Sequence, residues 1–173
     1  MAATRTAAFR VAVAAALIAA AFALDQLTKS WALTELGDGR TIELALGARL
    51  KLIFNPGVAF GMGSELGPPL AVGLIGIAGA LTVWVFVRAA RGAPMGGTAL
   101  LALAAGGGAG NIWDRISRAT GTPLSGEVVD FIAVDWFAIF NVADIFTTCG
   151  IAGWAVLQVF GKHDSPEPRR SET

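Results

Sequence analysis

Three carboxylates, Asp130, Asp135 and Asp144, stand within VVDFIAVDWFAIFNVAD, residues 128–144, a stretch that is otherwise almost wholly apolar. Two carboxylates held close together cannot both ionise easily, so they share one proton. The ionised member can then take a proton from water while the protonated member polarises a carbonyl. That is the chemistry of hydrolysis. Asp144 lies inside the run Ala138 to Phe160, which reads as a membrane span. A carboxylate there is costly and implies a function. We read Asp130 and Asp144 as a catalytic pair at the outer mouth of a small helical membrane protein. Asp130 itself reads as a loop residue, and Asp135 as a solvated one outside the site.

Composition supports a membrane setting. Of 173 residues, 54% are hydrophobic and 15% charged, whereas a soluble domain is about a quarter charged. The 22 glycines also suit membrane helices. A formal net charge of zero argues against nucleic acid as a partner. Cys149 is the single cysteine and His163 the single histidine. No intrachain disulfide and no His/Cys zinc site can be built from them. No metal and no cofactor is expected.

The elements that must position the aspartates follow from the apolar runs. Val11 to Leu24 is unbroken, with Arg5 and Arg10 before it. It reads as the core of a first span, about 9–33, continuing through Asp25 and Lys29, rather than as a cleavable signal peptide ending near Ala21-Phe22-Ala23. Residues 34–68 are polar, and Thr41 to Phe54 partly alternates, which suggests short strands or a hairpin on the membrane surface. Asn55-Pro56-Gly57 signals a turn. Pro68-Pro69 suits a helix start, giving a second span at about 69–88. A third, about 95–113, carries AAGGGAG at Ala104 to Gly110, small residues that let helices approach closely. The fourth is 138–160. Residues 1–162 form one domain, with 34–68 and 114–137 outside the membrane, and the charged tail 163–173 is expected to be disordered. The fold class is an all-α, four-helix membrane bundle with a small β-cradle and a surface loop or helix.

Basic residues set the orientation. Arg5, Arg10, Arg88, Arg91, Lys162, Arg169 and Arg170 fall at the N-terminus, the second–third turn and the C-terminus. The positive-inside rule puts these in the cytoplasm. Asp25 and Lys29 on span one, Asn111, Asp114 and Arg115 on span three, and Asn141 and Asp144 on span four then share one depth at the outer face. Within each cluster the members lie about one helical turn apart and share a face, and such faces should turn inward. Taken singly, Asp25 with Lys29 reads as a helix-end ion pair, and Asn55-Pro56-Gly57 as a turn.

Five motifs in order make the chain similar to the lipoprotein signal peptidases, also called signal peptidase II, bacterial inner-membrane aspartic endopeptidases. They are Asp25-Gln26-Leu27-Thr28-Lys29, Asn55-Pro56-Gly57-Val58-Ala59-Phe60-Gly61, Gly107 to Arg115, Val128-Val129-Asp130-Phe131, and Phe140-Asn141-Val142-Ala143-Asp144. The resemblance implies a catalytic dyad of Asp130 and Asp144, with Asn111, Arg115 and Asn141 orienting it or the substrate carbonyls. Asp114, Asp25, Lys29, Asn55 and Gly57 would support them. It further implies diacylglyceryl-modified prolipoproteins as substrates, with membrane lipid alongside, in a chain expected to be a monomer. The alternative is an ion- or proton-coupled transporter, which would place its ionisable groups near the midplane. A Ser30–Lys29 dyad is geometrically poor, because neighbouring helical residues point apart.

Overall fold

The first apolar run does not stop at Leu24. It continues as one helix, α1 (Ala2–Glu35), through Asp25 and Lys29. Its length, about 1.5 Å per residue, exceeds the roughly 30 Å of a hydrocarbon core. In this computed structural model residues 2–58 and 62–160 are described. The tail 163–173 and the Ala59–Gly61 end of the second motif lie outside them. Three further helices follow, α2 (Pro68–Ala90), α3 (Met95–Ser117) and α4 (Val142–Phe160). Pro68 and Pro69 open α2 as expected, in the turn where a missing N–H does no harm.

Among the described residues, three segments are long and apolar enough to cross a membrane: Thr4–Glu35, Pro68–Ala90 and Val142–Phe160. α3 is as long as α2, but its glycines and its polar end at Asn111, Asp114 and Arg115 dilute its apolarity. Those glycines make α3 the centre of the packing. A Cβ on Gly106 would lie 2.5 Å from the carbonyl oxygen of Ile18 in α1, and one on Gly150 of α4 would lie 2.5 Å from that of Leu100 in α3. Neither contact admits a side chain, so α1 and α4 approach α3 backbone to backbone, as small residues allow. α2 meets α3 less closely, since a Cβ on Gly108 would meet Ala78 Cβ at 3.7 Å; Gly73, Gly76 and Gly79 lie on its exposed outer face.

A three-stranded antiparallel sheet sits at one end of the bundle, in the order β1 (Ile42–Glu43), β2 (Ala48–Asn55), β3 (Val128–Val134). β1 and β2 form the expected hairpin. β3 corrects the sequence reading, because Asp130 lies on a strand and not in a loop. It pairs with Ile53, beside an irregularity between Leu50 and Ile53. The strand is held from below by α1, where Ala32 and Leu36 pack with Val129 and Phe131, and Trp31 meets Phe131 edge-on at 6.3 Å.

The fourth span is also corrected. It begins at Val142, not Ala138, because Phe140 completes the sheet. The Phe140 N–H donates to the Ile132 carbonyl at 3.0 Å, and the Ile132 N–H donates back at 2.9 Å. Asn141 then caps α4. Its Oδ1 accepts from the Asp144 N–H at 3.0 Å, and Asp144 Oδ2 accepts from the Asn141 N–H at 3.1 Å. This reciprocal arrangement is a capping box with Asn and Asp in its two roles. Asp144 therefore stands in the first turn of α4, at the very start of that span rather than several residues inside it.

Candidate active site

Strand β3 and the α4 cap bring Asp130 and Asp144 to one cavity of about 350 Å³. Asp130 is 2% exposed, and Asp144 is half-buried. Asn141 bridges them. Its backbone N–H meets Asp144, and its Nδ2 donates to Asp130 Oδ1 at 2.7 Å, reaching also the Val129 carbonyl and Asn111 Oδ1. Asn55 supplies the second donor, from Nδ2 to Asp130 Oδ2 at 2.9 Å, while its own Oδ1 accepts the Gly57 N–H at 2.9 Å. Burial pushes the Asp130 carboxyl up to about 6, and the nearby Asp144 charge adds to this, against the lowering effect of the Asn55 and Asn141 hydrogen bonds.

Asn111 is the counterpart on the α3 side. Its Nδ2 donates to Asp144 Oδ1 at 2.8 Å, and its Oδ1 accepts from Lys29 Nζ at 2.8 Å. Lys29 is 1% exposed and also pairs with Asp25 and Asp114, each at 2.8 Å and each fully buried. Those two acids grip the backbone next to the aspartates of the cavity. Asp25 Oδ1 accepts the Ala143 N–H at 3.0 Å, and Asp114 Oδ2 accepts the Val129 N–H at 3.2 Å. One ammonium thus anchors the carboxylates that fix the residues preceding Asp144 and Asp130. Gly110 leaves the space that the Asp25 carboxylate fills.

Arg115 lines the same cavity, and its charge acts on Asp130 and Asp114, but its hydrogen bonds go elsewhere. It donates to the carbonyls of Pro56 and Gly57, so it fixes the turn that aims Asn55. Its Nε is buried and without an acceptor among the described residues. All ten expected site residues therefore connect to one network. Asp135 does not; it is exposed and paired with Arg49 at 2.6 Å. Two members were missed. Gln26 donates to Asp25 and to the Gly110 carbonyl, and Arg118 reaches Asp114 at 3.4 Å. The i,i+4 spacing of Asp114 and Arg118 was a visible signal for the second.

The family model described as Signal peptidase (SPase) II matches residues 17–160. The chain belongs to the signal peptidase II family. A lipoprotein signal peptidase of Bifidobacterium adolescentis is 46% identical over 153 residues, 87% of this chain and 78% of that protein. One of Bifidobacterium longum is 50% identical over 56 residues, 32% of this chain and 31% of that protein. Two solved bacterial membrane enzymes, studied by the in meso method, share the fold. The structure at 2.3 Å has a TM-score of 0.69 at 22% identity, covering 95% of both chains. The one at 1.9 Å has a TM-score of 0.64 at 24% identity, covering 91% of this chain and 95% of its own. Membership in the signal peptidase II family makes the protein a membrane protease of the aspartic class and sets aside the transporter alternative.

Proposed function

We propose that Asp130 and Asp144 are the catalytic dyad, and that the substrate is a prolipoprotein carrying diacylglycerol on a cysteine. Cleavage falls on the N-terminal side of that cysteine. The observation that carries this reading is the cavity. One part is lined by Asp130, Asp144, Asn55, Asn111 and Arg115, and the rest is apolar, with Leu74, Ile77 and Leu81 of α2 facing Ile151 of α4. A polar peptide bond and a greasy attachment can occupy it together. The ionised carboxylate takes a proton from water as the water oxygen bonds to the scissile carbonyl carbon. The protonated one polarises the carbonyl oxygen. As the C–N bond breaks, the leaving nitrogen takes up a proton from the pair. Asn111, Asn141 and Asn55 hold the carboxylates, and Arg115 holds the turn bearing Asn55. Each buried CH₂ contributes about 0.8 kcal/mol, so the acyl chains supply much of the binding. A prolipoprotein with an unmodified cysteine should be cleaved at least about tenfold more slowly than its lipidated form at equal concentration in detergent. Equal rates would overturn the substrate assignment.

Burial raises the Asp130 carboxyl, so it holds a proton to higher pH than an ordinary aspartate while the pair titrates as a unit. A raised carboxyl keeps its proton below about 6 and loses it above. kcat/KM should therefore fall as pH rises through that value, measured on one lipidated substrate. A profile that is flat from about pH 5 to about pH 8 would exclude the shared-proton mechanism.

We place α3 across the membrane as a fourth crossing, in the cytoplasmic membrane of a bacterium, with both termini inside and the sheet outside. The arginines Arg5, Arg10, Arg88 and Arg91 support this. Reporter fusions after Arg91 should read as cytoplasmic, and fusions at Glu43 and Thr122 as external. The opposite pattern would invert the protein.

A further inference from the structure

Among the described residues, the end of the bundle away from Asp130 carries cations without counter-charge. Between Ala2 and Leu24, Pro68 and Trp113, and Ile145 and Phe160 there is no Asp or Glu, while Arg5, Arg10, Arg88 and Arg91 all fall there. Arg10 is occupied. It donates to the carbonyls of Ala89 and Ala93 and so closes the end of α2. Arg88 is different. It is half-buried, its guanidinium carbon stands 5.4 Å above the Trp84 ring, and its Nε is buried without an acceptor among the described residues. The Trp84 ring meets Trp154 edge-on at 5.1 Å, and the buried Trp154 indole N–H likewise has no acceptor. These donors converge over Gly97 of α3, where a Cβ would lie 3.5 Å from Arg88 Nη2 and 3.7 Å from Trp154 Nε1.

Buried donors without acceptors are rare in folded proteins. The Trp154 N–H beside an aromatic-backed guanidinium whose own Nε lacks an acceptor defines a site for an anion. Its location narrows the anion. Gly97 lies about 30 Å along α3 from its sheet-side end at Ser117, at 1.5 Å per residue, the thickness of a hydrocarbon core. That places it where a bilayer begins if the sheet marks the other surface. Tryptophans settle at the headgroup level, and basic clusters there attract anionic lipid. The guanidinium fork matches phosphate oxygens in pairs. We propose that Arg88, Trp84 and Trp154 form a binding site for the phosphate headgroup of an anionic phospholipid, at the membrane surface opposite the proteolytic cavity. A phosphate held by Arg88 Nη2 would also meet the Trp154 N–H, since both nitrogens stand within 3.7 Å of the same point over Gly97. The site involves none of the residues assigned to cleavage.

The test adds phosphatidylglycerol, or phosphatidylcholine with the same acyl chains, to the full chain purified in detergent. Retained lipid is counted by native mass spectrometry, and the thermal midpoint is followed. Phosphatidylglycerol should be retained and should raise the midpoint; phosphatidylcholine should do neither. Arg88→Gln should weaken phosphatidylglycerol retention about tenfold, the worth of a charge-assisted hydrogen bond, with basal cleavage unchanged. Trp154→Phe keeps the aromatic packing and removes only the N–H. It should weaken retention less, and it serves as the test if Arg88→Gln does not fold. Arg91→Gln, an exposed neighbour, should change little. Equal retention of the two lipids, equal loss in Arg88→Gln and Arg91→Gln, or undiminished retention in Trp154→Phe would overturn the proposal. Inorganic phosphate reproducing the whole shift would assign the site to a free anion and overturn the lipid.

Discussion

Asp130→Asn and Asp144→Asn are each expected to slow release of the signal peptide at least about a thousandfold, the scale of positioned acid–base catalysis. The chain should still fold and insert. For Asp130 the sign of the stability change can be worked out. Its folded pKa is raised from 3.8 to about 6. The stability tied to the protonated form is complete below 3.8 and is lost as pH rises through about 6. At neutral pH the ionised group therefore works against the fold by up to about 3 kcal/mol. Asn removes that charge. It also turns an N–H₂ toward either Asn55 or Asn141, whose amides both donate to Asp130, and loses one hydrogen bond of about 1.5–3 kcal/mol. The two effects nearly cancel, so the thermal midpoint should stay close to the parent's while activity vanishes. Asp135→Asn is the control, since its exposed pair with Arg49 is worth at most about 1 kcal/mol. Turnover near the parent rate in either dyad variant would remove the assignment.

Lys29→Met should be the most damaging single change outside the dyad. It deletes the cation between two fully buried carboxylates, Asp25 and Asp114, leaving the charges of Arg118 and Arg115 near Asp114. Breaking a buried pair by removing one partner costs about 3–5 kcal/mol. The loss should extend to the fraction that still folds, because the freed acids no longer hold the Val129 and Ala143 N–H groups in place. Thermal unfolding and the cleavage rate per folded molecule would separate the two effects. Adding Asp25→Asn to Lys29→Met should recover part of the midpoint by removing one stranded charge. An unchanged midpoint in Lys29→Met would show that the ammonium is not the anchor described above.

The helices were legible because long apolar runs have few other uses, and the hairpin because Thr41 to Phe54 alternates. β3 was not legible. Val128, Val129, Asp130 and Phe131 are all buried, with Val129 and Phe131 packed toward α1 and Val128 and Asp130 lining the cavity. A strand covered on both faces shows no alternation, and the acid at its centre made it look like a loop. The same apolar run hid the start of α4. Its cap, Asn141 to Asp144, has the right spacing, but residues 138–140 before it are as apolar as the helix after it. The Asp25–Lys29 pair was visible as i,i+4 neighbours. Its third member, Asp114, depends on how α1 and α3 are rotated against each other, which no local pattern encodes.

The glycine contacts of α3 have a mechanical consequence. Where α1 and α4 meet α3 backbone to backbone, there is no side chain between them that could change rotamer to make space. That part of the protein behaves as a fixed frame, and both aspartates are tied to it. α2 meets α3 across a wider gap at Gly108, where a Cβ would lie 3.7 Å from Ala78, and supplies the apolar wall of the cavity. If the acyl chains of the proposed substrate lie against this wall, a longer chain would displace it into the fluid bilayer while the carboxylates stay where they are. Tolerance for different tails and the choice of the bond to be cut are then governed by different helices. Variation in the lipid need not blur the position of the cut.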